Sequence, residues 1–187
     1  MILEKLIQEC LAHNRASQKE LYLLYKDVLF HLSLKYCSSF SDAEDNLQDA
    51  FIEIFNNLKK YDNKGSFEGW MKRITINKAI DKYKKSIQNS DIPYLFVEEK
   101  EEEEAIDILD ISVNEILQMI QNLPNQYRLV FNLYQLEGYS HKEIASLLAI
   151  SESTSKSNFH RAKKILREEI HKSQKKIIKS VRKHEKK

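Results

Sequence analysis

Residues 140–166 read SHKEIASLLAISESTSKSNFHRAKKIL. Ser140 and Glu143 have the S-x-x-E spacing of a capping box, which opens a short helix with Ile144, Ala145, Leu147 and Leu148 as its packing candidates. Ile150 fills a brief turn. Ser151 then caps a longer helix on which Phe159, Ala162 and Leu166 face inward, while Lys156, Ser157, His160, Arg161 and Lys164 face out. Two helices joined by so short a turn, the second basic on its outer side, describe a helix-turn-helix that lays its second helix in a DNA major groove. The plainer alternative is an amphipathic hairpin with no ligand.

Working outward, Gly138 stops the helix before this motif. Leu123-Pro124 separates that helix from an earlier one begun by Ile116, Leu117 and Ile120. The whole chain of 187 residues has only 3 Gly and 2 Pro, so long, seldom interrupted helices are expected and the fold class is all-α. With 42% hydrophobic residues it can bury real cores, and its length suits one large domain or two of roughly 100 residues. No apolar run is long enough for a membrane span. Glu4, Lys5 and Glu9 interrupt the amino terminus where a signal peptide needs an apolar stretch, so a cytoplasmic protein without membrane insertion is expected. Cys10 and Cys37 form neither a zinc ribbon nor a disulfide framework and read as core thiols.

Charge divides the chain. Residues 1–90 carry 14 Lys and Arg against 12 Asp and Glu, residues 91–112 carry 1 against 9, and residues 113–187 carry 15 against 7. The acidic middle reads as a flexible linker between two helical domains, 1–90 and 113–171, the second ending in the helix-turn-helix, with a basic tail at 172–187. From Lys156 onward there are 13 basic and 3 acidic residues, a density suited to phosphates.

In the first domain, Leu21, Leu24, Tyr25, Val28, Leu32 and Tyr36 recur at helical steps and predict a core-facing side. Ser41 and Glu44 offer a second capping box, opening a helix whose Ala43, Leu47, Ala50, Phe51, Ile54 and Leu58 form one stripe opposite Asp42, Asp45 and Asp49. After the turn DNKGS at 62–66, a third helix is expected over 67–85. Phe67, Trp70, Met71 and Ile74 lie on one arc of it, with Ile76, Ala79, Ile80 and Tyr83 roughly opposite, so it is either sandwiched or open to a partner. Trp70, Arg73, Asn77, Asp81 and Lys84 follow one another at three- and four-residue steps on one stripe, with Lys78, Lys82 and Lys85 alongside. Flat, polar and cationic groups in such a row suit exposed bases and their backbone.

Three segments in this order resemble the extracytoplasmic-function family of bacterial RNA polymerase sigma factors. SDAEDNLQDAFIEIF at 41–55 is similar to the family's polymerase-binding helix, and FEGWMKRITINKAIDKYKK at 67–85 to its promoter-melting and minus-ten-reading helix. LPNQYRLVFNLYQLEGYSHKEIASLLAISESTSKSNFHRAKKILRE at 123–168 is similar to its minus-thirty-five-reading domain.

The resemblance implies that Asp42, Glu44, Asp45, Gln48 and Phe51 dock on core RNA polymerase. It implies that Asn63, Lys64, Gly65 and Ser66 receive a flipped base while Trp70, Arg73, Asn77, Lys78, Asp81 and Lys84 hold the melted strand. Thr154, Lys156, Ser157, Asn158, His160, Arg161 and Lys164 would then read the upstream promoter element, with Asn158 able to pair with adenine. Promoter DNA, core polymerase and an anti-sigma factor are the implied partners, and no cofactor or metal is called for. Ser155 stands where the family usually has a branched aliphatic residue, and Ala149 where it commonly has Gly. A stand-alone helix-turn-helix regulator would leave the acidic helix and the Trp70 stripe unexplained. A metal-dependent nuclease would need convergent carboxylates, and the acids here lie on one side of a helix.

Overall fold

The computed structural model describes residues 2–88 and 111–184 and contains helices but no strand among them. It divides by contacts into two units, Met1–Ser86 and Ile87–Lys187. Nearly all of the expected acidic linker lies outside the described residues.

The first unit is built from α1 (Ile2–Leu11), α2 (Arg15–Tyr36), α3 (Phe40–Asn57), a 3-10 turn (Leu58–Lys60) and α4 (Phe67–Gln88). Asn14 caps α2 by accepting from the amides of Ala16 and Ser17. The expected box at Ser41 and Glu44 does not form: α3 starts earlier, where extended Ser39 accepts from the Asp42 amide at 3.1 Å. Ser41 is thereby already inside the first turn.

All six residues of the expected α3 stripe are buried, and with Leu21, Leu29, Phe67 and Met71 they line the core, as do both cysteines. The expected face of α2 is corrected. Leu24 and Val28 are 58% and 39% exposed, and Leu29 is buried in their place. This helix carries apolar side chains around much of its circumference, so its neighbours and not its periodicity decide which side is covered. In α4, Phe67, Met71, Thr75, Ile76, Ala79 and Ile80 are buried, so the helix is covered over a broad arc and presents the rest to solvent.

One amide ties three of these helices. Asn46 is fully buried in α3, and its Nδ2 donates to Ser33 Oγ of α2 at 3.0 Å and to the Thr75 carbonyl of α4 at 3.2 Å. On the flank of the same packing, Lys78 pairs with Glu53 at 2.8 Å and Lys82 with Asp49 at 3.2 Å.

The second unit comprises α5 (Val113–Gln121), α6 (Asn125–Phe131) continuing into a π-helical turn (Asn132–Leu136), α7 (His141–Leu148) and α8 (Glu152–His184). Ser112 and Ser140 both close full capping boxes, with Glu115 and Glu143. Gly138 ends the π turn at φ +74°. The α5–α6 corner is held by Arg128, a buried guanidinium donating to the carbonyls of Gln121 at 2.7 Å and Leu123 at 3.1 Å and to Asn125 Oδ1 at 2.8 Å. A cation at the carbonyl end of α5 also suits the helix dipole. Ile120, Leu123, Ala162 and Leu166 join α5 to α8. The basic tail is no separate element up to His184, because α8 runs through it unbroken.

The turn between α7 and α8 is made by Ala149 at φ 56° and ψ 44°, a left-handed conformation that crowds its Cβ. Replacement by glycine relieves that crowding at the cost of a freer unfolded chain. Ala149→Gly is therefore expected to stabilise this unit by about 0.5–1 kcal/mol. Urea unfolding followed by helical circular dichroism checks this, and a lower midpoint would contradict it.

Candidate functional site

Three surfaces carry the residues singled out from sequence. On α3, Asp42, Glu44, Asp45 and Gln48 are exposed along one side. The Ser38 hydroxyl donates to Asp42 at 2.7 Å. Phe51 is corrected: it is 4% exposed, its ring 4.7 Å from that of Tyr22, and it belongs to the core. Only the resemblance places it with the acids; its spacing puts it on the apolar stripe, where it lies. A residue missed by the reading, Ile52, stands exposed on the acidic side.

The second surface combines the 62–66 turn with α4. The turn is exposed throughout and held by its own bonds. Asn63 sits at φ 60° and Gly65 at φ 99°, Tyr61 Oη donates to the Gly65 carbonyl at 2.9 Å, and the Lys64 amide donates to Asp62 Oδ1 at 3.1 Å. Lys64 Nζ also pairs with Asp62 at 3.1 Å. Ser66 caps α4, its Oγ accepting from the Gly69 amide at 3.0 Å, so its hydroxyl already has work within the fold.

Along α4 the stripe is present as expected from spacing. Arg73, Asn77 and Asp81 are exposed, and Trp70 and Lys84 are half-buried. The Trp70 ring stacks on Phe67 at 5.7 Å and meets Tyr61 at 5.6 Å. Between α3, the 3-10 turn and α4 lies a cleft of about 340 Å³ whose walls include Trp70, Asn77 and Asp81 on one side and Glu53, Asn57 and Lys60 on the other. Lys78 lines it too, but its ammonium is engaged by Glu53. Their hydrogen bond raises the Lys78 pKa above the ordinary lysine value and holds the Glu53 carboxyl below its own. Sequence reading placed Lys78 among the strand contacts and missed this partner, because the pairing depends on how α3 lies against α4.

The third surface is α8. Lys156 and Lys164 are exposed, and Ser157, His160 and Arg161 half-buried. Lys156 pairs with Glu152 one turn earlier at 2.8 Å, and Arg161 donates to Tyr127 Oη at 3.3 Å. Two expected readers are corrected. Thr154 is buried with its hydroxyl bonded to Ser151 at 2.7 Å, and Asn158 is 3% exposed. Both lie on the side of α8 turned into the unit, so neither reaches a base edge. Ser151 caps the helix as expected, accepting from the Thr154 amide at 2.9 Å.

At 155, where the resemblance would place a branched aliphatic residue, the buried Ser155 hydroxyl shares a 3.0 Å hydrogen bond with His141 Nδ1. The imidazole stacks on Tyr134 at 4.2 Å and meets Phe159 edge-on at 5.9 Å. This pair joins the two helices of the motif. Burial pushes the His141 pKa below its ordinary value, and Lys156 adds to that against a smaller opposing pull from Glu152. Among the described residues, no group of three or more His, Cys, Asp or Glu could hold a metal ion, and no helix is long and apolar enough to cross a membrane.

The His141 site sets a pH dependence. A lowered folded pKa means that the folded unit binds fewer protons than the unfolded chain. Its contribution is complete above the unfolded value of about 6.5 and is lost as pH falls through the lower folded value. Hydrogen exchange of amides in 141–160 is expected to quicken between pH 7 and pH 5 beyond its intrinsic pH trend, and His141→Gln to flatten that excess. An unchanged excess in the variant would assign it to other groups.

Comparison with known proteins matches the geometry. The sequence profile for sigma-70 region 2 covers residues 21–87, and that for sigma-70 region 4 covers residues 113–166. The chain is 27% identical over 183 residues to the ECF RNA polymerase sigma factor SigW of Bacillus subtilis, spanning 91% of this chain and 97% of that protein. It is 29% identical over 157 residues to the ECF RNA polymerase sigma factor SigE of Mycolicibacterium smegmatis, spanning 81% of this chain and 61% of that one. A likeness of fold extends to the sigma factor RpoE of Bartonella quintana, solved in complex with the anti-sigma factor NepR. There the TM-score is 0.51 and the identity 21%, over 82% of this chain and 96% of that one. With region 2 and region 4 both present and in order, the chain belongs to the extracytoplasmic-function family of RNA polymerase sigma factors.

Proposed function

We propose that this sigma factor divides its work among its three surfaces. It binds core RNA polymerase and directs initiation at specific promoters. In our reading the outer side of α3, through Glu44, Asp45 and Gln48, docks on a cationic surface of the core. The 62–66 turn and the Trp70, Arg73, Asn77, Asp81 and Lys84 stripe capture the strand released on melting, with the cleft beside Trp70 able to admit one base turned out of the stack. Lys156, Ser157, His160, Arg161 and Lys164 meet the upstream duplex, phosphate contacts fixing register and base-edge contacts choosing sequence. An anti-sigma factor is the further partner we infer. The chain supplies contacts and no bond-making chemistry, and it acts in the cytoplasm, where polymerase meets DNA.

One observation carries this reading over that of a stand-alone duplex-binding regulator. The first unit presents an acidic side on α3 and an aromatic, amide and cationic stripe on α4, in a chain whose second unit alone would suffice for a regulator. Runoff transcription with purified core polymerase, with and without the protein, tests it directly, and no stimulation at any promoter would return the chain to the regulator reading.

Two substitutions separate the roles. Asp45→Arg combined with Gln48→Ala is expected to abolish holoenzyme assembly while leaving helicity intact, because both side chains lie outside the core. Retained assembly would remove α3 from the interface. Asn77→Ala, also exposed, should leave assembly and stability unchanged and impair strand opening, read as lost permanganate reactivity of unpaired thymines. Full reactivity would take Asn77 out of the capture stripe.

A further inference from the structure

The two sigma-70 regions leave one described segment without a role. The region 4 profile ends at residue 166, whereas α8 continues as a single helix to His184. The basic tail is therefore a prolongation of the helix that carries Lys156, Ser157 and His160, and at 1.5 Å per residue the part beyond Leu166 is about 27 Å long. Residues 170–184 read IHKSQKKIIKSVRKH, with Lys172, Lys175, Lys176, Lys179, Arg182 and Lys183 and no acid. Two acids stand just before this run: Glu168 is exposed, and Glu169 pairs with Lys172 at 2.8 Å. None follows until Glu185.

Such a run works against its own helix. Lys172 and Lys176, Lys175 and Lys179, and Lys179 and Lys183 stand four residues apart, a spacing at which like charges repel. A merely solvated helix relieves this with interspersed acids, as the first turn of α8 does by pairing Glu152 with Lys156. Here a polyanion would do so instead. The position of the run favours DNA as that polyanion. Ser157, Lys164, His171 and Lys175 follow at steps of seven, seven and four and so share one stripe, half-buried at Ser157 and exposed at the other three. The side of α8 assigned to the upstream duplex thus continues into the tail. A helix that leaves a major groove passes the sugar–phosphate wall, where long cations find phosphates and no base edges. An interfacial membrane helix would back its cations with Trp or Phe, and residues 167–187 contain neither.

We propose that α8 beyond Leu166 is a second, sequence-independent DNA contact, in which Lys175, Lys176, Lys179 and Arg182 neutralise phosphates of the duplex flanking the upstream element. The inference rests on the reading of α8 as the helix that meets that duplex. The tail adds affinity that does not depend on base sequence, and it holds the second unit on promoters whose upstream element departs from the preferred one.

Promoter binding by preassembled holoenzyme, followed by fluorescence anisotropy over a range of salt concentrations, tests this. The full-length variant combining Lys175→Gln, Lys176→Gln, Lys179→Gln and Arg182→Gln keeps good helix formers at all four positions. It is expected to bind about tenfold more weakly at moderate salt and to make the slope of log affinity against log salt shallower by about 2 or more. Preferred and scrambled upstream elements should lose affinity alike, leaving their ratio at the wild-type value. Circular dichroism no less helical than wild type verifies the fold. If affinity and slope equal wild type while Lys156→Ala weakens binding, the tail contact is wrong and the reading of α8 stands. If Lys156→Ala combined with Arg161→Ala also changes nothing, that reading falls as well. A loss confined to assembly with core polymerase would assign the tail to a protein partner. A wild-type slope, with binding to phosphatidylglycerol vesicles that the variant loses, would assign it to a membrane surface. Either result overturns the proposal.

Discussion

The first unit is organised by the buried amide of Asn46. A hydrogen bond of this kind adds only about 1 kcal/mol net, but a buried polar group left without partners costs more, so the arrangement is enforced through the alternatives it penalises. The Asn46 Nδ2 group finds acceptors only when α2 brings Ser33 and α4 brings the Thr75 carbonyl to the same point, while its Oδ1 is buried without a partner. Ser33 and Thr75 are themselves tied to their own helices, their hydroxyls donating to the Leu29 and Met71 carbonyls. With α3 and α4 locked in this register, Glu53 and Asp49 come opposite Lys78 and Lys82, and the cleft beside Trp70 opens next to them. The cleft beside Trp70 is thus a by-product of a polar contact in the core.

The second unit reaches a comparable outcome by different means. Arg128 satisfies carbonyls at the α5–α6 corner, and His141 with Ser155 joins α7 to α8 at a position where the family usually has a branched aliphatic residue. Polar pairs of this kind favour one arrangement over its neighbours while making it sensitive to proton concentration. Ala149 completes the turn in a backbone conformation that glycine would adopt at less cost.

The two helical surfaces of the first unit show how one residue type is put to two uses. Asp49 and Glu53 on the inner flank of α3 pair with lysines of α4, whereas Glu44 and Asp45 on its outer side enter no ion pair among the described residues. In the sequence these form one undifferentiated run of carboxylates. Their division depends on which flank faces α4, and it bears on function because a carboxylate already paired has little left to offer a partner.

Periodicity and end signals were enough to read much of the chain. The α3 stripe from Ala43 to Leu58, the capping box at Ser140 and Glu143, the cap at Ser151 and the stripe from Trp70 to Lys84 all depend on spacing within one helix, and local geometry makes such spacing decisive. Tertiary structure decided the cases in which a helix had more than one eligible face. Leu24 and Val28 proved exposed and Leu29 buried because α2 is apolar on several sides. Phe51, Thr154 and Asn158 left the candidate surfaces because a residue can share the sequence neighbourhood of a site and still point into the core. The sequence alone determined that two all-α units would form; only packing decided which side of each helix remained outside, because burial is a property of neighbours and not of the segment that is buried.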